Sequence, residues 1–363
     1  MRYFILIFSS LLVANTNNSS KLCKTCHPII YNEYKSSMHF KSTLQKDAVH
    51  KALWNKNPLS KENNYQCAKC HNPEVKNKLD SGVDCVSCHT IKNIKEHMVS
   101  NINIYENKDK TFYSKDLKRA DKKIVYHKTS SFFGMFSSTV GSPYHDIDYR
   151  NKIYYNGKMC MGCHSHLKNS NNINLCSLPN KGASNTKENC ITCHMPKIKG
   201  SATTIKLTKS HAYHGFLGAY NKPLMLSKYI DLSINKTSTG FNINIKNNTP
   251  HPLFTQPLRV VRLKIDILDN NKNIFSKNID FKKVLGKNGQ ESIPATADSI
   301  LEDSMLKENE TRVIKIDFNN LKNKKVIATL GYFKVDPKKI KTLGLKDSSL
   351  SDFIKLKKLE YQF

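Results

Sequence analysis

The chain has 363 residues, length for about two domains, with 58 Lys and Arg against 29 Asp and Glu and a formal net charge of +29. Such a balance suits nucleic acid only where the basic residues gather in one stripe; here the lysines are scattered among asparagines, and a nucleic-acid partner is set aside. The apolar fraction of 39 % falls below the roughly 45–50 % of an average globular chain, so an ordinary side-chain core cannot be assumed throughout.

The chain opens on Met1-Arg2 and an apolar run to Val13 that closes in small and polar residues from Ala14. This predicts a secretory signal over residues 1–18, cleaved near Ala14. The run is too short to remain as a spanning anchor. Five Cys-x-x-Cys-His runs follow, anchored by Cys23 and Cys26, Cys67 and Cys70, Cys85 and Cys88, Cys160 and Cys163, and Cys190 and Cys193. Each ends in a histidine: His27, His71, His89, His164 and His194. Two thiols at this spacing reach both vinyl groups on one porphyrin edge, and the adjacent imidazole reaches the iron, so each run reads as a c-type haem attachment site. Zinc and disulfide chemistry do not require a His directly after every second Cys. Five covalently bound haems are expected. Because such haem is attached outside the cytoplasm, export and a periplasmic location agree with the motifs.

Between the motifs the periodicity is weak. Helices are predicted over Pro28–Phe40 and Asp47–Trp54, with Asn-, Lys- and Ser-rich loops elsewhere. The uneven intervals exclude a strict repeat, and the close second and third motifs are expected to hold two haems in contact. With about thirty-odd residues to each haem, porphyrins rather than side chains would fill the interior. Beyond Leu224 the character changes. Six alternating runs, Tyr229–Ile234, Phe241–Lys246, Leu258–Leu268, Ile274–Phe281, Arg312–Phe318 and Lys325–Lys334, are separated by turns such as Asp269-Asn270-Asn271 and Lys287-Asn288-Gly289. The expected fold is mixed: a mostly α and irregular multihaem domain over 19–222, then an antiparallel β-sandwich over 223–363. The final residues, Ser351–Phe363, fit either a short helix or an extended tail.

What each iron can do depends on its sixth position. A second imidazole closes it for electron transfer, whereas a vacant position can bind a small molecule. Nine histidines lie outside the motifs: His39, His50, His97, His127, His145, His166, His211, His214 and His251. His39 ends a helical run, His145 follows Ser142-Pro143-Tyr144, and His211 sits in a loop closing the haem region. These three are ranked first, followed by His251 in Thr249-Pro250-His251-Pro252. Cys176 has no partner left and is expected to be a free thiol.

These residues carry a resemblance. Cys23–His27 with Tyr31, Tyr34 and Ser37-Met38-His39, Gly82-Val83-Asp84 leading into Cys85–His89, Ser142–His145, Cys190–Pro196 and Ser210-His211 resemble the multihaem cytochrome c family, which includes the tetrahaem cytochrome that partners hydroxylamine oxidoreductase. The resemblance spans roughly 20–220 and implies distal-ligand roles for His39, His145 and His211. The second half is similar to the β-domain often fused behind such haem domains. There a strand and an Asn precede a Gly-His-x-x-Pro-Thr-Gly turn; here Asn247, His251 and Arg259 remain, but Pro250 stands where Gly would be.

The reading that follows is a periplasmic pentahaem cytochrome c passing electrons between redox partner proteins in anaerobic, nitrogen or sulfur respiration. The basic charge suits an acidic docking surface on the partner or peripheral contact with an anionic membrane. Haem propionates would offset up to about ten of the positive charges. A reductase of a small nitrogen or sulfur oxyanion at one five-coordinate haem is the alternative. A third reading makes the β-domain a docking module.

Overall fold

The computed structural model describes residues 20–62, 65–73, 82–108, 110–130, 137–179 and 187–363; the expected signal over 1–18 lies outside them. Among the described residues no helix is long and apolar enough to cross a membrane.

The haem-motif region is made of very short pieces. Its longest helices are α1 (Pro28–Ser36) and α3 (Ala48–Asn55). The helix expected to run unbroken to Phe40 stops at Ser37, whose ψ of 158° is extended. The Ser37 hydroxyl donates to the Tyr34 carbonyl at 2.7 Å and accepts from the Phe40 amide, starting a separate turn, α2 (Met38–Lys41). A serine offering its hydroxyl to a fresh N-terminus costs less than an uncapped break, and this break falls two residues before His39. The region also holds more strand than expected. Small sheets pair Ile91–Lys95 with Ile102–Tyr105, His166–Lys168 with Asn174–Ser177, and Lys197–Lys199 with Ser210–Ala212. These strands add to the α and irregular structure expected of this region. One helical turn is enough to present a Cys-x-x-Cys-His run, and the intervening chain runs extended.

The C-terminal part follows its alternating pattern closely. One antiparallel sheet joins β1 (Ile230–Lys236), β2 (Gly240–Asn247) and, on the other side of β2, Thr311–Asp317. A second has the order Lys272–Phe281, Val260–Asp269, Lys324–Phe333, Ile354–Gln362; in chain order these are β4, β3, β6 and β7, with Thr311–Asp317 as β5. Phe241, Ile243 and Ile245 from the first sheet and Leu263, Ile265, Ile267, Ala328 and Leu330 from the second belong to one fully buried cluster. Each such Phe, Ile or Leu side chain contributes about 1.5–3 kcal/mol on burial. The β3–β4 turn has both Asn270 and Asn271 at positive φ (47° and 66°), the mirror-image geometry that matches strand twist and favours Asn and Gly. Asn288 and Gly289 (51° and 75°) repeat it in the hairpin after Lys283–Lys287.

Two seams join the halves. Val49 of α3 packs with Leu258, Val335, Leu343 and Leu350. Leu175 packs with Leu285 and Ala297, and there Asn169 donates to the carbonyls of Pro294 (2.9 Å) and Ala297 (2.7 Å). All three apolar clusters of the described residues contain C-terminal side chains. None is built from the haem-motif region alone.

Candidate haem sites

The last four Cys-x-x-Cys-His runs each lie on one short helical turn, and the first is a turn after the helix Ser20–Cys23, closed by the His27 amide on the Cys23 carbonyl (2.8 Å). Asp84 caps Cys85–His89 through the Ser87 amide (2.8 Å), and Asn189 caps Cys190–His194 through a reciprocal box with Thr192. These caps satisfy amides that a single turn cannot satisfy internally. None of the eleven cysteines is paired in a disulfide. Cys176 lies in the strand Asn174–Ser177, where burial pushes its thiol up against the opposing effect of Lys283.

The histidines assemble in facing pairs drawn from distant parts of the chain. Ring centres of His27 and His145 are 6.2 Å apart, His39 and His164 5.9 Å, His89 and His214 6.3 Å, and His194 and His251 6.2 Å. Two imidazoles bound through one nitrogen each to a metal at about 2 Å place their ring centres roughly 6 Å apart. Rotation about that axis leaves the interplanar angle free, which accommodates values from 20° to 85°. Among the described residues, no three His, Cys, Asp or Glu side chains converge as a metal cluster would require.

Ring nitrogens not facing the partner are tied back. Nδ1 of His27 donates to the Ala202 carbonyl (2.6 Å), that of His89 to Tyr113 (2.7 Å), and that of His194 to Leu217 (2.6 Å). His214 donates to Ala212 (2.7 Å) and His251 to Pro252 (2.9 Å). Fixing the proton on Nδ1 leaves Nε2 with its lone pair, the ligating tautomer. Nδ1 of His39 is buried without such a tie. Burial holds His39 down to about 3, and His71 and His214 to about 4. It also lowers His89, His145, His164 and His251. All are thereby kept neutral, the form that binds metal. By spacing, tautomer and charge, the residues fit haem iron.

His50 and His71 depart from the pattern. Their centres are 4.0 Å apart, too close for an iron between them. Both Nδ1 atoms donate to the Ser42 carbonyl (2.9 and 3.1 Å), and the Tyr65 hydroxyl lies 3.2 Å from His50 Nε2.

His211, expected opposite an iron, is placed elsewhere. Its Nε2 meets Glu33 Oε1 at 2.9 Å and its Nδ1 the Gly200 carbonyl at 2.9 Å. The other Glu33 oxygen accepts the His214 backbone amide at 2.9 Å, so Glu33 and His211 brace the loop from which His214 faces His89. His211 is paired in a strand with Ile198, which fixes its direction. His39, His145 and His251 stand opposite His164, His27 and His194. His166 Nε2 approaches the His97 carbonyl, and His127 lies in an exposed hairpin. The signal that could have favoured His214 is its three-residue offset from His211, which carries it past the end of the strand.

Attachment thiols from different motifs also touch. Cys23 contacts Cys85, Cys70 contacts Cys163, and Cys160 contacts Cys190. Through these thiols the second motif touches the fourth, and the third touches the first. Gly157, at φ 79°, allows the last contact: a Cβ there would lie 3.1 Å from Cys190 Cβ.

Set beside known proteins, residues 22–90 match the family described as cytochrome c554 and c-prime. Among curated proteins none matches the chain. The fold is similar to that of a penta-haem cytochrome c552 from Thermochromatium tepidum, with a TM-score of 0.71 and 22 % identity, over 95 % of this chain and 98 % of that one. The family match covers the first three motifs, and the fold is shared along almost the whole length with that penta-haem cytochrome, including a β-rich part behind the haem-motif region.

Proposed function

We propose that the protein is a periplasmic pentahaem c-type cytochrome that transfers electrons between redox partner proteins in bacterial anaerobic, nitrogen or sulfur respiration. The observation that carries this reading is the set of four facing imidazole pairs at 5.9–6.3 Å. In it the ten paired cysteines anchor five haems, His27, His71, His89, His164 and His194 are proximal ligands, and His145, His39, His214 and His251 are distal ones. Haem held between two imidazoles supplies one-electron chemistry at iron that is closed to small molecules. The touching thiols hold neighbouring porphyrin edges close, which supports transfer along the chain. A haem-filled interior accords with the lack of an apolar cluster made by the motif region alone. The domain boundary is placed at 222/223, where Lys222 turns at φ 45° into the turn Pro223–Tyr229, with the two sheets behind it read as a β-sandwich and residues 1–18 as the export signal. Low-temperature electron paramagnetic resonance of the matured ferric protein tests this. Four low-spin centres per chain assigned to the named pairs are expected; high-spin signals at more than one would overturn it.

The His50–His71 geometry favours a second reading, in which the haem at Cys67 and Cys70 keeps an open position for a small nitrogen or sulfur oxyanion. Tyr65 engages His50 Nε2, the nitrogen that ligation would use, and the basic surface would attract the anion. One high-spin ferric centre per chain, shifted by added nitrite or sulfite and changed by Tyr65→Phe, is the expected result. A fifth low-spin centre indifferent to both anions would exclude this reading.

A further inference from the structure

The loop 200–209 closes over the first attachment motif. The Thr204 amide donates to the Cys26 carbonyl at 2.9 Å, Ala202 accepts from His27, and Gly200 lies within reach of Ile29 Cδ1. Four apolar side chains stand out here: Leu22 (62 % exposed), Ile29 (43 %), Ile205 (68 %) and Leu207 (78 %). Exposed Lys21, Lys24, Lys206 and Lys209 lie among them. The segments that build this face carry one sign of charge only: no Asp or Glu occurs from Ser20 to Asn32 or from Asn189 to Ile230. A small apolar centre with a single-sign polar rim is the anatomy of a specific but transient contact, and weak redox encounters use the smallest interfaces.

We propose that this face docks a small redox protein with an acidic rim, making the first motif the point where electrons pass between this chain and that partner. The proposal rests on the electron-transfer reading above. The lysines steer and orient the acidic rim, while Ile205 and Leu207 exclude water at the centre.

The test uses matured, full-length protein with flavodoxin, an acidic one-electron protein, as the probe. Oxidised flavodoxin serves for binding, and its reduced form for stopped-flow reduction. The double variant Lys206→Glu with Lys209→Glu is compared with Lys272→Glu and Lys277→Glu on exposed positions of β4, which change net charge equally. At low salt the first pair is expected to weaken binding and slow reduction about tenfold, a difference that shrinks as salt is raised. Ile205→Ser with Leu207→Ser is expected to weaken binding about tenfold while leaving the salt slope unchanged. Full haem content by absorbance shows that each variant has matured. Equal effects of the two lysine pairs would reduce the phenomenon to overall charge and overturn the face. So would variants that keep flavodoxin binding but lose binding to phosphatidylglycerol vesicles, which would make it a membrane contact. Failure of the unaltered, haem-loaded protein to take up electrons even from dithionite would instead sink the electron-transfer reading.

Discussion

His211 and His214 show how finely the site is decided at single residues. Both sit in one short stretch, yet only His214 faces His89, because Glu33 holds the ring of one and the backbone of the other. His214→Ala is expected to convert one low-spin haem to high-spin, whereas His211→Gln leaves the low-spin count unchanged; resonance at low temperature reads both. The five attachment runs were legible because covalent chemistry fixes their spacing. The distal partners were less so, since a lone imidazole carries no spacing rule and its direction depends on strands and turns that close only in three dimensions. Gly157 is a related case. An added Cβ there meets Cys190 and places a side chain on a left-handed backbone, so Gly157→Ala should cost about 1–2 kcal/mol and lower the melting temperature.

Among the elements, α3 carries His50 and contributes Val49 to a seam, and Asp47 caps it through the amides of Val49 (2.9 Å) and His50 (3.2 Å). Asp47→Ala should therefore destabilise the protein by about 1 kcal/mol, measurable by denaturant titration. The small sheet of Thr111–Tyr113, Asp146–Asp148 and Lys123–Ile124 begins one residue after His145 and is fastened by Asp148, which accepts two bonds from the Arg150 guanidinium at 3.0 and 2.7 Å. That pairing holds the Asp148 carboxyl below its ordinary range. Its contribution is fully present above the unfolded value near pH 4 and is lost as pH falls through the lower folded value. Asp148→Asn should abolish that acid-side slope in amide exchange over 111–113 and 146–148. Of the six predicted strands, Gly240–Asn247 and Val260–Asp269 were the most legible, because one face of each is buried and gives clear alternation. The seventh, Ile354–Gln362, was not: its pairing slips between Leu330 and Gly331, leaving Leu356 as an extra residue. The resulting three-residue interval to Leu359 mimics a helical period.

For the whole molecule, the two halves are joined by side chains from both. Leu258, 3 % exposed, lies in the seam with Val49 and Leu343; Leu258→Ala should cost about 2–5 kcal/mol and broaden the unfolding transition. Nothing in local pattern announces such a seam, because its members are ordinary apolar residues whose partners lie far away in the chain.

The turn that presents His251 is held by carbonyls and amides of residues still to come. Asn247 donates to the His251 and Lys307 carbonyls, and Leu253 donates to that of Leu306. A chain made amino end first can therefore set His251 opposite His194 only after some hundred residues beyond Cys193 have been added. On the proposed ligand set, this centre would be the last of the four to gain its opposite imidazole, since His145, His164 and His214 all precede His251.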